Sequence, residues 1–396
     1  MDIRLTVSLL CSSEYRNDEV INCLYNACCE QRDSAVRAYA RMCEILLISG
    51  QSLSDHLFEL AAGGSLVREY VRSGGEVLRN AAANDIARLS VLSRVTYEEI
   101  IGHIYEETVI DGLSDTDPPV YENGDTVIDL EHTADYIRRF GSVFFEKNKA
   151  FVCENGALVP VSHSDPVRLS ELKRYEDERR RFTENLLCFI HGKPYSSVLL
   201  YGDRGTGKSS TVKAAVNEYR QLRMIYLPKS SLGEIYSVYD SVRDCPLKFV
   251  IFIDDLTFEK TDESYPLLKQ ALEGSVRAMP GNCMICATTN RRHIVKETLS
   301  ERQGDELHVS DLRDENASLS DRFGLFITFM KPDRSVYLDI VKQLAEEKKI
   351  DMDEQRLFAL AERFALEKNG RSPRTAKQFT DMLSARSSLG FDTEKI

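Results

Sequence analysis

The chain is 396 residues long, which at roughly 150 residues per domain predicts two to four domains and ample material for a buried core. Its 51 Lys and Arg against 63 Asp and Glu leave a formal charge of −12, so the molecule as a whole repels polyanions, and a nucleic-acid or anionic-membrane contact would need a local basic patch. With 29% charged and 42% hydrophobic residues, the composition excludes an intrinsically disordered, collagen-like or membrane-embedded chain.

No apolar run approaches the roughly 20 residues that cross a bilayer. The start at Met1 lacks the basic region, apolar stretch and small-residue cleavage site of a signal peptide. The expectation is a cytoplasmic protein with reduced thiols, and the ten cysteines form no disulfide ladder. Cys283 and Cys286 make one CxxC, but zinc needs four ligands and no second pair lies nearby, so buried thiols on a strand are expected.

From Asp18 to about Ile110, apolar residues recur at three and four: Val20, Cys23 and Leu24, then Val36, Tyr39, Ala40 and Cys43, then Ile86, Leu89 and Leu92. That is helix periodicity, broken by Gly63-Gly64 and Gly74-Gly75 into several short helices. It predicts an all-α N-terminal domain over residues 1–114. From Asp115 the texture changes to Pro118-Pro119, Asn123-Gly124 and Asn155-Gly156, with apolar pieces at Val143–Glu146, Phe151–Cys153 and Ala157–Val161. A small β-rich connector is expected over 115–165.

A charged helix is predicted over Leu169–Ile190, its Arg179-Arg180-Arg181 run reading as a solvated face rather than a nucleic-acid patch. Beyond it, apolar strands alternate with helical stretches: Ser197–Tyr201, Arg223–Leu227, Phe249–Ile253, Met284–Thr288 and Leu325–Phe329. Near-continuous apolar strands alternating with helices predict a parallel sheet covered on both faces, here in a domain over 166–332. Helical periodicity alone continues from Asp333, which predicts a small helical domain over 333–396.

The densest chemistry is Gly202-Asp203-Arg204-Gly205-Thr206-Gly207-Lys208-Ser209, followed by Ser210 at the start of a helix. It fits GxxxxGK[ST] between a strand and a helix. The glycines let successive N–H groups surround phosphate oxygens, and the helix N-terminus adds partial positive charge. Lys208 is expected on the β- and γ-phosphates and Ser209 on Mg2+. The apolar strand Phe249–Ile253 ends in Asp254, the expected metal-side acid, and Asp255, the expected water-polarising acid. Asp255 is one methylene shorter than the glutamate common at such a position.

The next strand ends in Thr288-Thr289-Asn290, where Asn290 is expected to orient water or touch the γ-phosphate. Arg322, in Ser318-Leu319-Ser320-Asp321-Arg322-Phe323, is expected as a finger that neutralises transition-state charge on a neighbouring subunit's nucleotide; a surface salt bridge is the alternative. Ser372 and Pro373 suit a helix N-cap and first turn. Arg374 follows against the helix dipole, which is tolerable if it points at bound phosphate, so it is expected as a γ-phosphate sensor on a movable lid, with an exposed arginine or an acid partner as the alternative. Leu169, Leu172 and Tyr175 suit an apolar base pocket, although an amphipathic helix has the same spacing.

This order of motifs resembles the AAA+ class of P-loop ATPases over about Pro166–Ile396. Within it, the phrases at Leu199–Ser210 (LLYGDRGTGKSS), Ile253–Phe258 (IDDLTF), Ala287–His293 (ATTNRRH), Asp305–His308 (DELH) and Leu319–Leu325 (SLSDRFGL) resemble a bacterial family of single AAA+ ATPases catalogued as a domain of unknown function. The resemblance reaches weakly back to Phe151–Val161. It implies an αβα sandwich with a five-stranded parallel sheet ordered 5-1-4-3-2, a C-terminal helical lid, ATP and Mg2+ as ligands, and rings or part-rings in which Arg322 acts in trans. Pro228–Val238 shows no aromatic-hydrophobic-Gly pore loop, which argues against protein threading. The expected function is ATP hydrolysis coupled to remodelling or regulating a protein gripped by the N-terminal helices. A slow nucleotide-gated switch and a helicase-loader-like DNA-associated ATPase are the alternatives.

Overall fold

A computed structural model describes residues 3–105, 120–257, 264–273, 278–290, 322–368, 370–389 and 391. The expectations at Phe258, residues 291–293, 305–308 and 318–321 lie outside the described residues. The chain divides into two compact units, Met1–Lys147 with Asp244–Pro246, and Asn148–Arg243 with Leu247–Ile396.

The first unit is helical: α1 (Ile3–Ser8), α2 (Ser13–Arg16), α3 (Glu19–Cys29), α4 (Arg32–Ser49), α5 (Leu53–Gly63), α6 (Ser65–Ser73), α7 (Glu76–Leu92), α8 (Tyr97–Tyr105), α9 (Leu130–Phe140) and α10 (Val143–Lys147). Its core joins the apolar stripes of these helices, with Leu24, Tyr39, Leu57, Ile86 and Leu89 fully or almost fully buried. A buried carboxylate of its core, Asp85, accepts from the backbone N–H groups of Cys11 (2.6 Å) and Ser12 (2.9 Å), which satisfies the turn between α1 and α2.

The stretch expected as a β-rich connector over 115–165 is corrected. Val143–Glu146 is helical, because Ser142 caps it through its carbonyl to Glu146 N–H at 3.0 Å and its hydroxyl to Phe145 N–H at 3.4 Å. Tyr121 and Asn123 donate to the Val95 carbonyl at 2.6 and 3.0 Å and so belong to the helical unit. Among the described residues of that stretch, only β1 (Ala150–Glu154) and β2 (Ala157–Pro160) are strands.

The second unit holds a seven-stranded sheet ordered β2-β1-β4-β5-β6-β3-β7, with β3 (Val198–Gly202), β4 (Leu222–Tyr226), β5 (Lys248–Ile253), β6 (Cys283–Thr289) and β7 (Leu325–Phe329). The expected five-stranded, all-parallel sheet is thereby corrected to a mixed seven-stranded one. The Asn155-Gly156 turn, with φ of 50° and 77°, folds β2 back antiparallel on β1. Phe151 and Val152 of β1 then pair in parallel with Ile225 and Tyr226 of β4, which extends the sheet at that edge. Strands β3 to β7 lie as β7-β3-β6-β5-β4, all parallel.

The central strands bury both faces, as their apolar runs demand: all seven residues of β6 and five of the six in β5 are buried. Cys283 and Cys286, three apart on β6, point to opposite faces. Helix α11 (Glu176–Ile190) packs Phe182, Leu186 and Phe189, and α12 (Lys208–Glu218) packs Val212, Ala215 and Val216, into one core with Val198, Val250 and Phe252.

The helix expected over Leu169–Ile190 begins late. A 3-10 turn occupies Leu169–Glu171, and Arg174 and Tyr175 adopt left-handed φ of 60° and 62° before α11. Of its arginine run, Arg180 pairs with Asp177, while Arg179 and Arg181 donate to the Arg174 and Phe326 carbonyls. After α13 (Ile235–Val242) and α14 (Ser264–Glu273), the helices α15 (Arg334–Glu347), α16 (Glu354–Glu367) and α17 (Pro373–Ser388) form a bundle around Tyr337, Val341, Phe364 and Phe379. No described helix is long and apolar enough to cross a membrane.

Candidate functional site

The loop from Gly202 to Gly207 turns the chain from β3 into α12. Gly202, at φ 144°, lies so near β7 that a Cβ there would sit 1.9 Å from the Phe329 carbonyl oxygen. Gly205 and Gly207 also hold positive φ, of 77° and 95°, which only glycine adopts without strain. Thr206 donates its hydroxyl to the Asp203 carbonyl at 2.9 Å and tightens the turn.

Lys208 is buried, and its ammonium donates to the carbonyls of Gly202 (2.7 Å) and Asp203 (2.8 Å) and to Asn290 Oδ1 (2.8 Å). Burial lowers its pKa to about 8 against the opposing pull of Asp203, Asp254 and Asp255, with Arg374 adding repulsion.

The acids come from β5 and are organised by β6. Ser209 donates to Asp254 Oδ1 at 2.6 Å, and Thr288 donates to the same oxygen at 2.5 Å. The Thr288 hydroxyl also accepts from the backbone N–H of Asp255 at 2.9 Å. Asp255 sits at φ 52°, a left-handed conformation uncommon for a non-glycine residue. Asn290 Nδ2 donates to its Oδ1 at 2.6 Å. Asn290 thus bridges Lys208 and Asp255.

Helix α17 approaches from the bundle. Ser372 caps it by accepting from Thr375 N–H at 3.1 Å. The Arg374 N–H donates to the Gly205 carbonyl at 3.2 Å, and a Cβ on Gly205 would meet Ser372 Oγ at 2.8 Å. The phosphate-loop glycine is therefore also a contact surface for the bundle.

These groups enclose a cavity of about 400 Å³ lined by Arg204, Gly205, Gly207, Lys208, Ser209, Ser210, Asp254, Asp255, Thr288, Asn290 and Arg374. Most residues singled out in the sequence meet there. Gly202, Asp203 and Thr206 of the loop, the base-pocket candidates Leu169, Leu172 and Tyr175, and Arg322 do not line it. Tyr175, expected in a base pocket, donates its hydroxyl to the Met330 carbonyl at 2.6 Å and packs on Phe329 with ring centroids 5.2 Å apart. Its left-handed backbone turns the ring onto the end of β7. Arg322 lies just before β7 and does not line this cavity.

Thr288 is the residue that sequence reasoning passed over. The phrase Ala287-Thr288-Thr289-Asn290 drew attention to Asn290, whereas the β5–β6 register, Ile253 beside Ala287, puts the Thr288 hydroxyl between both acids.

The oxygen donors fit a hard divalent cation such as Mg2+, which takes one or two carboxylates and completes its octahedron with water and substrate phosphate. Ser209 and Asp254 are the residues that would hold it. Among the described residues, no group of three His, Cys, Asp or Glu forms an all-protein metal cage.

A glycine loop leading from strand to helix, acids at the end of β5, a polar side chain at the end of β6 and a helical bundle behind β7 define a P-loop protein of the AAA+ class. Residues 146–387 match the family model described as "Protein of unknown function (DUF815)". The chain belongs to that family. Among solved structures it is similar to the Thermotoga maritima RuvB Holliday junction branch migration motor, with 17% identity over 57% of this chain and 67% of that one and a TM-score of 0.41. An alanine-to-serine mutant of that RuvB gives 16%, 58%, 69% and 0.42. No curated protein matches the chain significantly.

Proposed function

We propose that the protein is a Mg2+-dependent ATPase that couples hydrolysis of bound ATP to remodelling or regulating a macromolecular partner, with the helical first unit as the gripping element. The observation that carries this reading is the convergence of Lys208, Ser209, Asp254, Asp255, Asn290 and Arg374 on one cavity at the end of a glycine loop.

In this mechanism the loop N–H groups cradle the β-phosphate, and Lys208 exchanges its carbonyl partners for phosphate oxygens. Bound Mg2+ supplies charge neutralisation across the phosphates. Asp255, held by Asn290, takes the hydrogen bond of the attacking water and aims its oxygen at the γ-phosphorus, while the bridging oxygen departs with ADP. Arg374 neutralises charge gathering on the γ-phosphate. Arg322 acts in the same sense on a neighbouring subunit of a homo-oligomer.

Equilibrium dialysis with Mg-ATP tests the foundation: saturable uptake by the full chain, lost in Lys208→Ala, is expected. No uptake by the folded wild-type chain overturns the reading.

The short reach of Asp255, with one oxygen already engaged by Asn290, favours a slow nucleotide-gated switch as the second reading. A turnover below about 1 per second that no partner raises selects it.

A further inference from the structure

A second cavity, of about 600 Å³, adjoins the phosphate cavity and shares Arg204, Gly205, Asn290 and Arg374 with it. Among the described residues its lining is strongly cationic: Arg204, Lys331, Lys368, Arg371 and Arg374 stand with a single carboxylate, Asp203. Arg371 is already neutralised by Glu362, whose oxygens accept its two guanidinium bonds at 3.0 and 2.6 Å. The other four cations have no ion-pair partner among the described residues. Asp203 spends one oxygen on the backbone N–H of Lys331 at 3.1 Å. Lys368 lies 5.6 Å over the Phe364 ring, a contact that leaves its ammonium donors free of acid. The Lys331 ammonium lies against Gly370, which sits at φ 138°: a Cβ there would come within 2.5 Å of Lys331 Nζ.

Like charges gathered in one concavity repel one another unless an anion joins them, and a walled cleft focuses their field on that anion. Guanidinium and ammonium groups converging from several directions match an oxyanion with lone pairs on every side. Arg204 and Arg374 face both cavities, so an anion leaving the γ-position remains in contact with cations throughout the move.

We propose that this second cavity is an inorganic-phosphate site beyond the nucleotide's γ-position, in which Lys331 and Lys368 hold orthophosphate after it separates from ADP. The proposal rests on the ATPase reading for the source of the phosphate, but the site itself is testable without turnover.

The test is equilibrium dialysis of labelled inorganic phosphate against the full chain loaded with Mg-ADP, in wild type and in Lys331→Gln/Lys368→Gln. Saturable binding of one phosphate is expected, weakened at least tenfold in the double variant, with Mg-ADP affinity unchanged and recovery in Lys331→Arg/Lys368→Arg. Absence of saturable phosphate binding overturns the site. Equal binding in wild type and the Gln variant overturns it too, since the phosphate then sits between Lys208 and Arg374. If Mg-ADP itself fails to bind, the nucleotide reading falls, and the same comparison on the nucleotide-free chain still decides the anion site.

A single turnover of ATP labelled at the γ-position separates the two sources. Slower escape of label from wild type than from the Gln variant identifies hydrolysis as the supplier. Equal escape, with the dialysis difference intact, keeps the site and assigns it to free phosphate.

Discussion

The ammonium of Lys208 and the amide oxygen of Asn290, 82 positions apart in the chain, meet at 2.8 Å. Through the other end of its amide, Asn290 reaches Asp255, so the cation proposed for phosphate and the acid proposed for water share one neutral partner. A ligand that draws Lys208 away releases one of the two bonds that orient Asn290, and that couples occupancy of the loop to the aim of Asp255.

Nucleotide affinity will depend on pH with a definite sign. Burial brings Lys208 down to about 8, and an anionic phosphate restores its proton, so binding takes up a proton above that pH. Affinity for Mg-ATP is expected to be flat below about 8 and to fall by up to tenfold per pH unit above it. Titration calorimetry at pH 7, 8 and 9 measures this, and Lys208→Arg should abolish the slope. Without nucleotide the sign reverses. The unfolded chain binds more protons between about 8 and 10.5, so the penalty of burying this lysine is present in full below about 8 and relieved as pH rises through that window.

Thr288→Val removes a hydroxyl that serves both acids. Two part-buried hydrogen bonds are lost, the one Thr288 accepts from the Asp255 N–H and the one it donates to Asp254, at a cost of about 1–3 kcal/mol together. A lower thermal midpoint and a higher Mg2+ requirement are expected, with Thr288→Ser restoring both. An unchanged Mg2+ titration would remove Thr288 from the site.

Asp255→Asn keeps the backbone geometry, because asparagine tolerates the left-handed φ of 52°. Mg-ATP affinity is expected to stay within about twofold while turnover drops by about a hundredfold or more. Full activity in this variant would transfer the water-polarising role to another group.

Gly202→Ala forces a methyl against the Phe329 carbonyl and adds strain at φ 144°. The β3–β7 pairing must open, a loss of about 4 kcal/mol or more, read as a large fall in the urea midpoint. A wild-type midpoint would mean that β7 moves away freely.

If Arg322 acts between subunits, an Arg322→Ala chain mixed with an Asp255→Asn chain recovers part of the hydrolysis that each lacks alone. Absence of recovery at every ratio and concentration excludes the trans role.

Strands β3 to β6 were legible because each is a largely apolar run that the sheet buries, and β7, whose Phe326 stays exposed, was legible from its apolar run alone. The phosphate loop was legible for a related reason: its glycines, lysine and serine are close in sequence and answer to backbone geometry. The place of Phe151–Cys153 was not. Its strand completes itself on β4, more than seventy residues on, and pairing at that distance leaves no local trace. The same holds for Val143–Glu146, whose apolar run suits a strand or a helix until Ser142 caps it.

Sequence alone therefore determined the phosphate loop, the acidic strand end and the alternation of strands and helices, since each depends on neighbours within a few residues. Tertiary structure alone decided that Thr288 lies between the two acids, that Tyr175 turns to the Met330 carbonyl, and that five cations from loop, strand end and bundle line one cavity. Those relations are set by strand register and by the docking of α17 on Gly205, and both arise only when segments far apart in the chain bury their apolar faces together.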